Sequence, residues 1–433
     1  MKLYNSLSKK IEYIDDKIIN IYNCGPTVYN DIHIGNSRPV IVFDVLYRYL
    51  VSQNIEVNYL HNLTDIDDKI IAAAKNKNQS ELQLSSYFSK QYEDIRKKLN
   101  IKDMIIEKVS DNIDGIIDYI DRLVKTNGAY VVNGNVYFDT KKNSEYGKLS
   151  HRSIDDQNKV ERIEENSEKK NPTDFVLWKN TNEGIKWETP WSLGRPGWHT
   201  ECSYLIEKYF KTSLTIHGGG IDLKFPHHEN ENAQHECLYN EDIAKIWMHI
   251  GHINIDNQKM SKSLNNFILI KDILKEYSYQ EIRWFIYKTN YRNPLNFNQN
   301  IMNETRIEIE KIQKIINTSK TDLIYNKSLS SQFILSENFI KEMDNDLNIS
   351  NGITEIYDLI KKLKNEIRNK NYSEVNNFLN MIISNLSILG IEFENIHTDE
   401  VIIIINKYYS EYENKNFSLS DNLRKILIEK KIL

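Results

Sequence analysis

The spacing of apolar residues changes character several times along the chain. KIINIYN, ending at Asn23, is a short β-branched run; after a turn-rich stretch, RPVIVFDVLYRYLVSQ reads as a buried helix. In IEVNYLHN, Ile55, Val57 and Tyr59 alternate with polar neighbours, as on a half-buried strand. Strand, helix and strand in that order predict a βαβ unit, and hence a parallel sheet that receives ligands at the C-terminal ends of its strands. A helical stretch is expected from Asp67 to Gly128, then a hairpin in AYVVNGNVYFDT that turns at Asn133 and Gly134. From Ser150 to Lys170 the chain is polar and charge-rich, the composition of an exposed loop. Apolar and aromatic residues return at Phe175 to Trp178 and at Trp187 to Trp198. From Asn303 to Leu433, Ile and Leu recur at three- and four-residue spacing with hardly a Gly or Pro, which predicts a separate α-helical domain.

Composition narrows the class. The chain has 433 residues, enough for two to four domains at roughly 100–200 residues each. With 40% hydrophobic and 27% charged residues, 15 Gly and 7 Pro, it is globular rather than collagenous or fully disordered. The bias toward Asn, Lys, Ile and Tyr follows A/T-rich codons and leaves the apolar periodicity intact. No window reaches about 18 uninterrupted apolar residues, and MKLYNSLSKKIEYIDD lacks the apolar region of a secretory signal. A cytoplasmic protein without membrane partners is therefore expected. Cys24, Cys202 and Cys237 are odd in number and far apart, which excludes a disulfide framework. The formal charge of -5 gives no global basic footprint, so any RNA must be met by a local patch.

Three constellations carry chemistry. CGPTVYNDIHIGN places Cys24, His33, Gly35 and Asn36 between the first strand and the first helix, where unpaired N–H groups and the helix dipole can hold phosphate. Alone, the same residues read equally as a turn histidine and a helix-capping Asn. KMSKS puts Lys259 and Lys262 three residues apart in a loop, a pairing suited to a polyphosphate. In FPHHENENAQ, His227 and Glu231 fall on one side of a helix; Cys24 and Cys202 can complete a tetrahedral site of the kind Zn²⁺ takes. Spacing leaves His228 or His235 open as the nitrogen ligand and Cys237 open as a thiol, although Cys237 fits a packing role beside Leu238. HGGGIDL follows the strand-like SLTI; its glycines, Gly220 among them, expose backbone, and Asp222 can accept from a ribose hydroxyl. Thr64, in NLTDIDDK, lies at the end of the second strand, and Trp198, in GRPGWHTECS, can wall a pocket.

Taken in order, CGPTVYNDIHIGN, NLTDIDDK, NPTDFVLWK, GRPGWHTECS, HGGGIDLKFPHHENE and KMSKS resemble the cysteinyl-tRNA synthetase family of class I aminoacyl-tRNA synthetases, from Cys24 to Ser263. The resemblance implies an α/β fold: a class I Rossmann-type parallel-sheet catalytic domain with a connective insertion, followed by an all-α C-terminal helical domain. On this basis residues 1–128 and 191–250 are the two catalytic halves, 129–190 the insertion, 251–302 the stem-contact region with the KMSKS loop, and 303–433 the tRNA-binding helices. It implies one Zn²⁺ on Cys24, Cys202, His227 and Glu231, and an amino-acid pocket at Gly25, Thr64 and Trp198. ATP with Mg²⁺ is expected at His33, Gly35, Asn36, Gly220, Asp222, Lys259 and Lys262, with His33, Asn36, Lys259 and Lys262 catalytic. The implied partners are L-cysteine, ATP and tRNA(Cys), the implied activity is cysteine–tRNA ligation through a cysteinyl-adenylate, and a monomer is expected.

Two departures stand out. Asn36 replaces the last His of the HIGH motif; it can donate a hydrogen bond but cannot carry charge. The chain also stops at Leu433, without the aromatic and basic tail usual in bacterial members, leaving Lys425, Lys430 and Lys431 as a basic helix near its end. Two rival readings are a ligase of this fold acting on an amino sugar and a non-catalytic tRNA-binding paralogue. The long helical domain argues against the first, and the intact lysines and ligand set against the second.

Overall fold

The computed structural model describes residues 1–152, 167–260 and 266–433. It divides into two compact units. Most of the expected exposed loop (153–166), and Lys262 with its immediate neighbours (261–265), lie outside the described residues.

The first unit is built on a five-stranded parallel sheet. In space the order is Ile246–Ile250, Ile216–Gly220, Ile18–Asn23, Glu56–Leu63 and Ile105–Lys108. Ile216 pairs with both Ile246 and Ile21, and Ile18 pairs with Glu56. The chain runs outward from the central Ile18–Asn23 strand, then returns to build on its other side. The crevice between Ile18–Asn23 and Ile216–Gly220 is thus the switch point at which such sheets bind ligands. The Ile34–Ser52 helix crosses between the first two strands with Ile41, Phe43, Val45 and Leu46 fully buried, as its apolar sequence requires. Tyr22, Leu60, Cys202, Leu205, Ile206 and Trp247 form another core cluster of this unit.

Two details differ from the sequence reading. Ile105–Lys108 is an edge strand inside the stretch read as helical from Asp67 to Gly128; four residues, IIEK, are too few to show a period. The strand expected at SLTI begins at Ile216 and runs through the glycines to Gly220. Pairing with Ile246–Ile250 along the whole run, and with Asn23 at Gly218, holds the glycines extended despite their weak strand preference.

A second, antiparallel sheet comprises Ala129–Val132, Asn135–Phe138, Phe175–Asn180, Leu193–Pro196 and Trp187–Glu188. Its first hairpin turns at Asn133 and Gly134, with φ of 50° and 82°, the left-handed pair favoured by Asn-Gly. Asp174 ties the sheet together, accepting hydrogen bonds from the Thr140 backbone N–H (3.0 Å) and the Tyr130 hydroxyl (2.7 Å).

The second unit is mainly helical, with helices at Tyr279–Tyr287, Gln299–Tyr325, Glu337–Met343, Ile349–Arg368, Tyr372–Ile388, Asp399–Glu413 and Phe417–Glu429. Local chemistry sets several starts: Ser278, Asn298, Ser336 and Thr398 each accept from a first-turn N–H. Leu359, Leu363, Val375, Leu379 and Ile382 fill the core of the hairpin from Ile349 to Ile388. Val401, Ile405, Leu427 and Ile432 close the last two helices, leaving Lys425, Lys430 and Lys431 exposed. Among the described residues, no helix is long and apolar enough to cross a membrane.

Candidate active site and metal centre

Cys24 follows the central strand, Cys202 lies on the Trp198–Phe210 helix, and His227 and Glu231 bracket the entry to the Glu229–Tyr239 helix. All four are buried, with one donor atom from each lying within 4.8 Å of all the others. His227 Nε2 is 2.7 Å from Glu231 Oε1 and 3.6 Å from Cys202 Sγ, while Cys24 Sγ is 3.7 Å from the same Glu231 oxygen. Two sulfurs, one imidazole nitrogen and one carboxylate oxygen, converging where water is excluded, fit a tetrahedral Zn²⁺. Cys237, by contrast, packs beside the Ile116–Trp178 core, and both ring nitrogens of His235 are buried without a hydrogen-bond partner.

Surrounding groups orient these donors. His199 Nδ1 lies 3.0 Å from His227 Nδ1; burial, then the neighbouring His227, holds His199 down to about 3 and therefore neutral. A neutral His199 can accept from His227 Nδ1–H, while His227 Nε2 faces Glu231 and Cys202 in the cluster. Burial works to lower His227, but Glu231 and Cys202 outweigh it and raise it to about 10. Burial would likewise raise Glu231, yet His227 and His217 hold its carboxyl well below the usual range. Its second oxygen accepts from His217 Nε2. Burial, then Cys202, pushes the Cys24 thiol up.

Further histidines complete this region: His228, open from spacing as an alternative ligand, and His217 and His249, to which the sequence assigned no role. His217 and His228, with Cys24 and Glu231, form a second overlapping donor set. His228 Nε2 is 3.4 Å from Cys24 Sγ, and His228 Nδ1 is 2.9 Å from His249 Nε2. Burial holds both His228 and His249 well below 6.5. His217 begins the HGGG run, where the glycines drew attention instead; the alternation that puts its side chain beside Glu231 appears only once the strand is placed.

Next to the cluster is a cleft of about 290 Å³ lined by Cys24, Gly25, His33, Gly35, Asn36, Lys69, Trp198, Gly220 and Asp222. The Gly25 N–H donates to Asn62 Oδ1 (2.8 Å), and a methyl at Gly25 would overlap the Asn62 carbonyl. Trp198 stacks on His227 with ring centroids 4.2 Å apart. A larger cavity of about 710 Å³ lies beyond Trp198, toward Asp67, Lys179 and Arg195, but neither the donor cluster nor His33 lines it. Thr64 is buried behind the cleft. Its hydroxyl donates to Glu201 Oε1 (2.6 Å) and accepts from Asn62 Nδ2 (3.2 Å).

The two phosphate-type motifs meet here. His33 pairs with Leu269 and stacks on Phe267, and Met260 packs against Gly35 so closely that any side chain there would collide with it. Lys259 is exposed at the start of its motif, and the Asn266 side chain donates to its carbonyl (3.3 Å). Asn36 is not the helix cap itself: His33 holds that position and Asn36, three residues on, accepts from the His33 N–H (3.2 Å). Its carbonyl oxygen is committed to the helix start, and its amide remains at the exposed edge of the cleft. Burial lowers the His33 pKa, favouring a neutral ring.

Residues 10–307 match the tRNA synthetases class I (C) catalytic domain, and residues 338–394 match a DALR domain. The chain is 49% identical to a cysteine–tRNA ligase of Ureaplasma parvum and 47% identical to one of Malacoplasma penetrans, each match covering 100% of both chains. It is 40% identical to that of Anoxybacillus flavithermus, over 100% of this chain and 97% of the relative. In fold it is similar to Mycobacterium tuberculosis methionyl-tRNA synthetase in complex with methionyl-adenylate, with a TM-score of 0.62 at 11% identity over 90% of this chain and 91% of that one. Since the similarity to these ligases runs from end to end and takes in the catalytic and DALR regions alike, the chain belongs to the cysteine–tRNA ligase family of class I aminoacyl-tRNA synthetases.

Proposed function

We propose that the chain joins L-cysteine to Mg²⁺-bound ATP, giving cysteinyl-adenylate and pyrophosphate, and then passes the cysteinyl group to the 3′ end of tRNA(Cys). The observation that carries this reading is the buried two-sulfur, nitrogen and oxygen donor set opening onto the cleft that holds His33, Gly35 and Asn36. Cys24, Cys202, His227 and Glu231 would hold one Zn²⁺. When bound, that ion supplies a preference for thiolate over hydroxyl, so that serine is rejected by chemistry rather than by size alone.

The protein's own residues do the rest. Gly25 and Trp198 line the amino-acid pocket, whereas Thr64 does not line it but supports its wall from behind, its hydroxyl held by Glu201 and Asn62. His33, Gly35, Asn36 and Gly220 seat the nucleotide, and Asp222 accepts from its ribose. The substrate carboxylate is itself the nucleophile toward the α-phosphate, so the chain has only to position the reactants and offset charge, with Lys259 and Lys262 on the phosphates. The helical unit meets tRNA through local basic surfaces, with binding that weakens as salt rises. The enzyme acts as a cytoplasmic monomer.

The test is cysteine-dependent ATP–pyrophosphate exchange, followed by charging of a tRNA(Cys) transcript with its own and with an altered anticodon. Exchange and charging, with loss on the altered anticodon, are expected. Exchange without charging would move the acceptor to another molecule, and no exchange would refute the ligase reading.

A further inference from the structure

Adenylate formation brings a carboxylate against a polyphosphate, and the negative charge grows at the α-phosphorus as they join. The lysines of KMSKS suit the departing pyrophosphate, which leaves the junction itself without an assigned cation. Among the described residues lining the cleft, the charged side chains are Asp31, Lys69 and Asp222, with His33 kept toward neutrality by burial. Asp31 is ion-paired to Lys271 at 2.5 Å. Just beyond Trp198, Lys179 and Arg195 are both held by Asp68. Lys69 forms no ion pair within the described residues. Its backbone is pinned in the first turn of the Asp68–Lys77 helix, where its N–H donates to Asp67 Oδ1 (2.7 Å). Its ammonium rests over the ring of Trp198, 5.6 Å from the centroid, and Trp198 in turn stacks on His227. A positive charge is therefore held at the amino-acid end of the cleft over an aromatic face, within the field of the Asp67 carboxylate but outside ion-pair distance of any acid among the described residues, a setting weak enough to exchange for an anion.

We propose that Lys69 is a catalytic residue of the activation step, its ammonium contacting the substrate carboxylate and an α-phosphate oxygen as they join. This rests on the ligase reading above. One carboxylate oxygen forms a bond to the α-phosphorus, and the bond from that phosphorus to the α–β bridging oxygen breaks with its electron pair leaving on pyrophosphate. No proton moves, and Lys69 remains an ammonium throughout.

The experiment is cysteine-dependent ATP–pyrophosphate exchange on the full-length, metal-replete chain with Lys69→Met and Lys69→Arg, alongside metal content. Removing a group that acts on developing charge should lower kcat by about 10²-fold, with both KM values within about threefold of wild type. Arg, which keeps the charge, should recover most of that loss, and metal content should not change. If Met keeps kcat and raises only the KM for cysteine, Lys69 merely props Trp198 and the proposal fails; it fails also if Arg is as impaired as Met, or if exchange is normal and only charging slows. Absence of exchange by the wild-type chain would remove the ligase reading and this inference together, an outcome distinct from failure of Lys69 alone.

Discussion

His61 offers a quantitative test of how the site is supported. It sits fully buried on the Glu56–Leu63 strand, with Nδ1 2.8 Å from the carbonyl of Asn23, the residue before Cys24, and Nε2 2.8 Å from the Tyr92 hydroxyl. In the neutral ring Nδ1–H donates to that carbonyl and Nε2 accepts from Tyr92, so a second proton would meet a donor. Burial, then the charge of Arg96, holds the pKa down to about 3, against about 6.5 in an unfolded chain. The unfolded state therefore takes up the proton first, and stability falls as pH drops from about 6.5 toward 3. At pH 5 this loss is RT ln[(1 + 10^1.5)/(1 + 10^−2)], or about 2 kcal/mol. His61→Gln keeps a donor and an acceptor but does not titrate. Urea unfolding of both proteins near pH 7.5 and near pH 5 should show wild type losing about 2 kcal/mol relative to the variant between the two conditions. The other buried histidines titrate in both proteins and cancel in the difference. An equal gap at both pH values would refute the reading that His61 is held neutral.

Three further outcomes follow from the site. Cys24→Ser should lower bound zinc and erode selection against serine by at least about tenfold, read as the ratio of kcat/KM for the two amino acids; unchanged selectivity would place sulfur recognition elsewhere. Thr64→Val should leave the buried Glu201 oxygen without its donor and cost about 1–3 kcal/mol in urea unfolding, whereas Thr64→Ser should cost less than about 1 kcal/mol. Asn36→Ala should remove the side chain that answers the His33 N–H, costing about 1 kcal/mol and raising the KM for ATP, while Asn36→Asp should retain the stability and not the ATP affinity.

Much of this architecture was legible because it is local. The Asn-Gly turn, the buried first crossover helix and the four-residue spacing of His227 and Glu231 all depend on neighbours within a few positions. The short Ile105–Lys108 edge strand was not legible, because four residues carry no period. His217 was not legible as a donor for another reason, and His228 only as an alternative to His227: a histidine has no sequence signature for lying beside a carboxylate fourteen or three residues away until strand and helix directions are fixed.

The first βαβ unit, the Asn-Gly hairpin, the helical character of the C-terminal region, the order of the chemical motifs and the family resemblance could be read from the sequence, since each is written in contiguous residues. Only the tertiary structure decided which motifs share a site. Cys24, just after the Ile18–Asn23 strand, meets Cys202 of the Trp198–Phe210 helix in the core cluster they share with Tyr22; Glu201 meets Thr64 and Met260 meets Gly35 through equally long-range packing. It likewise decided that Lys69 rests on Trp198 while Lys179 and Arg195 are neutralised by Asp68. Strand order and burial are properties of the whole fold, set by which apolar faces must cover one another, and no local pattern encodes them.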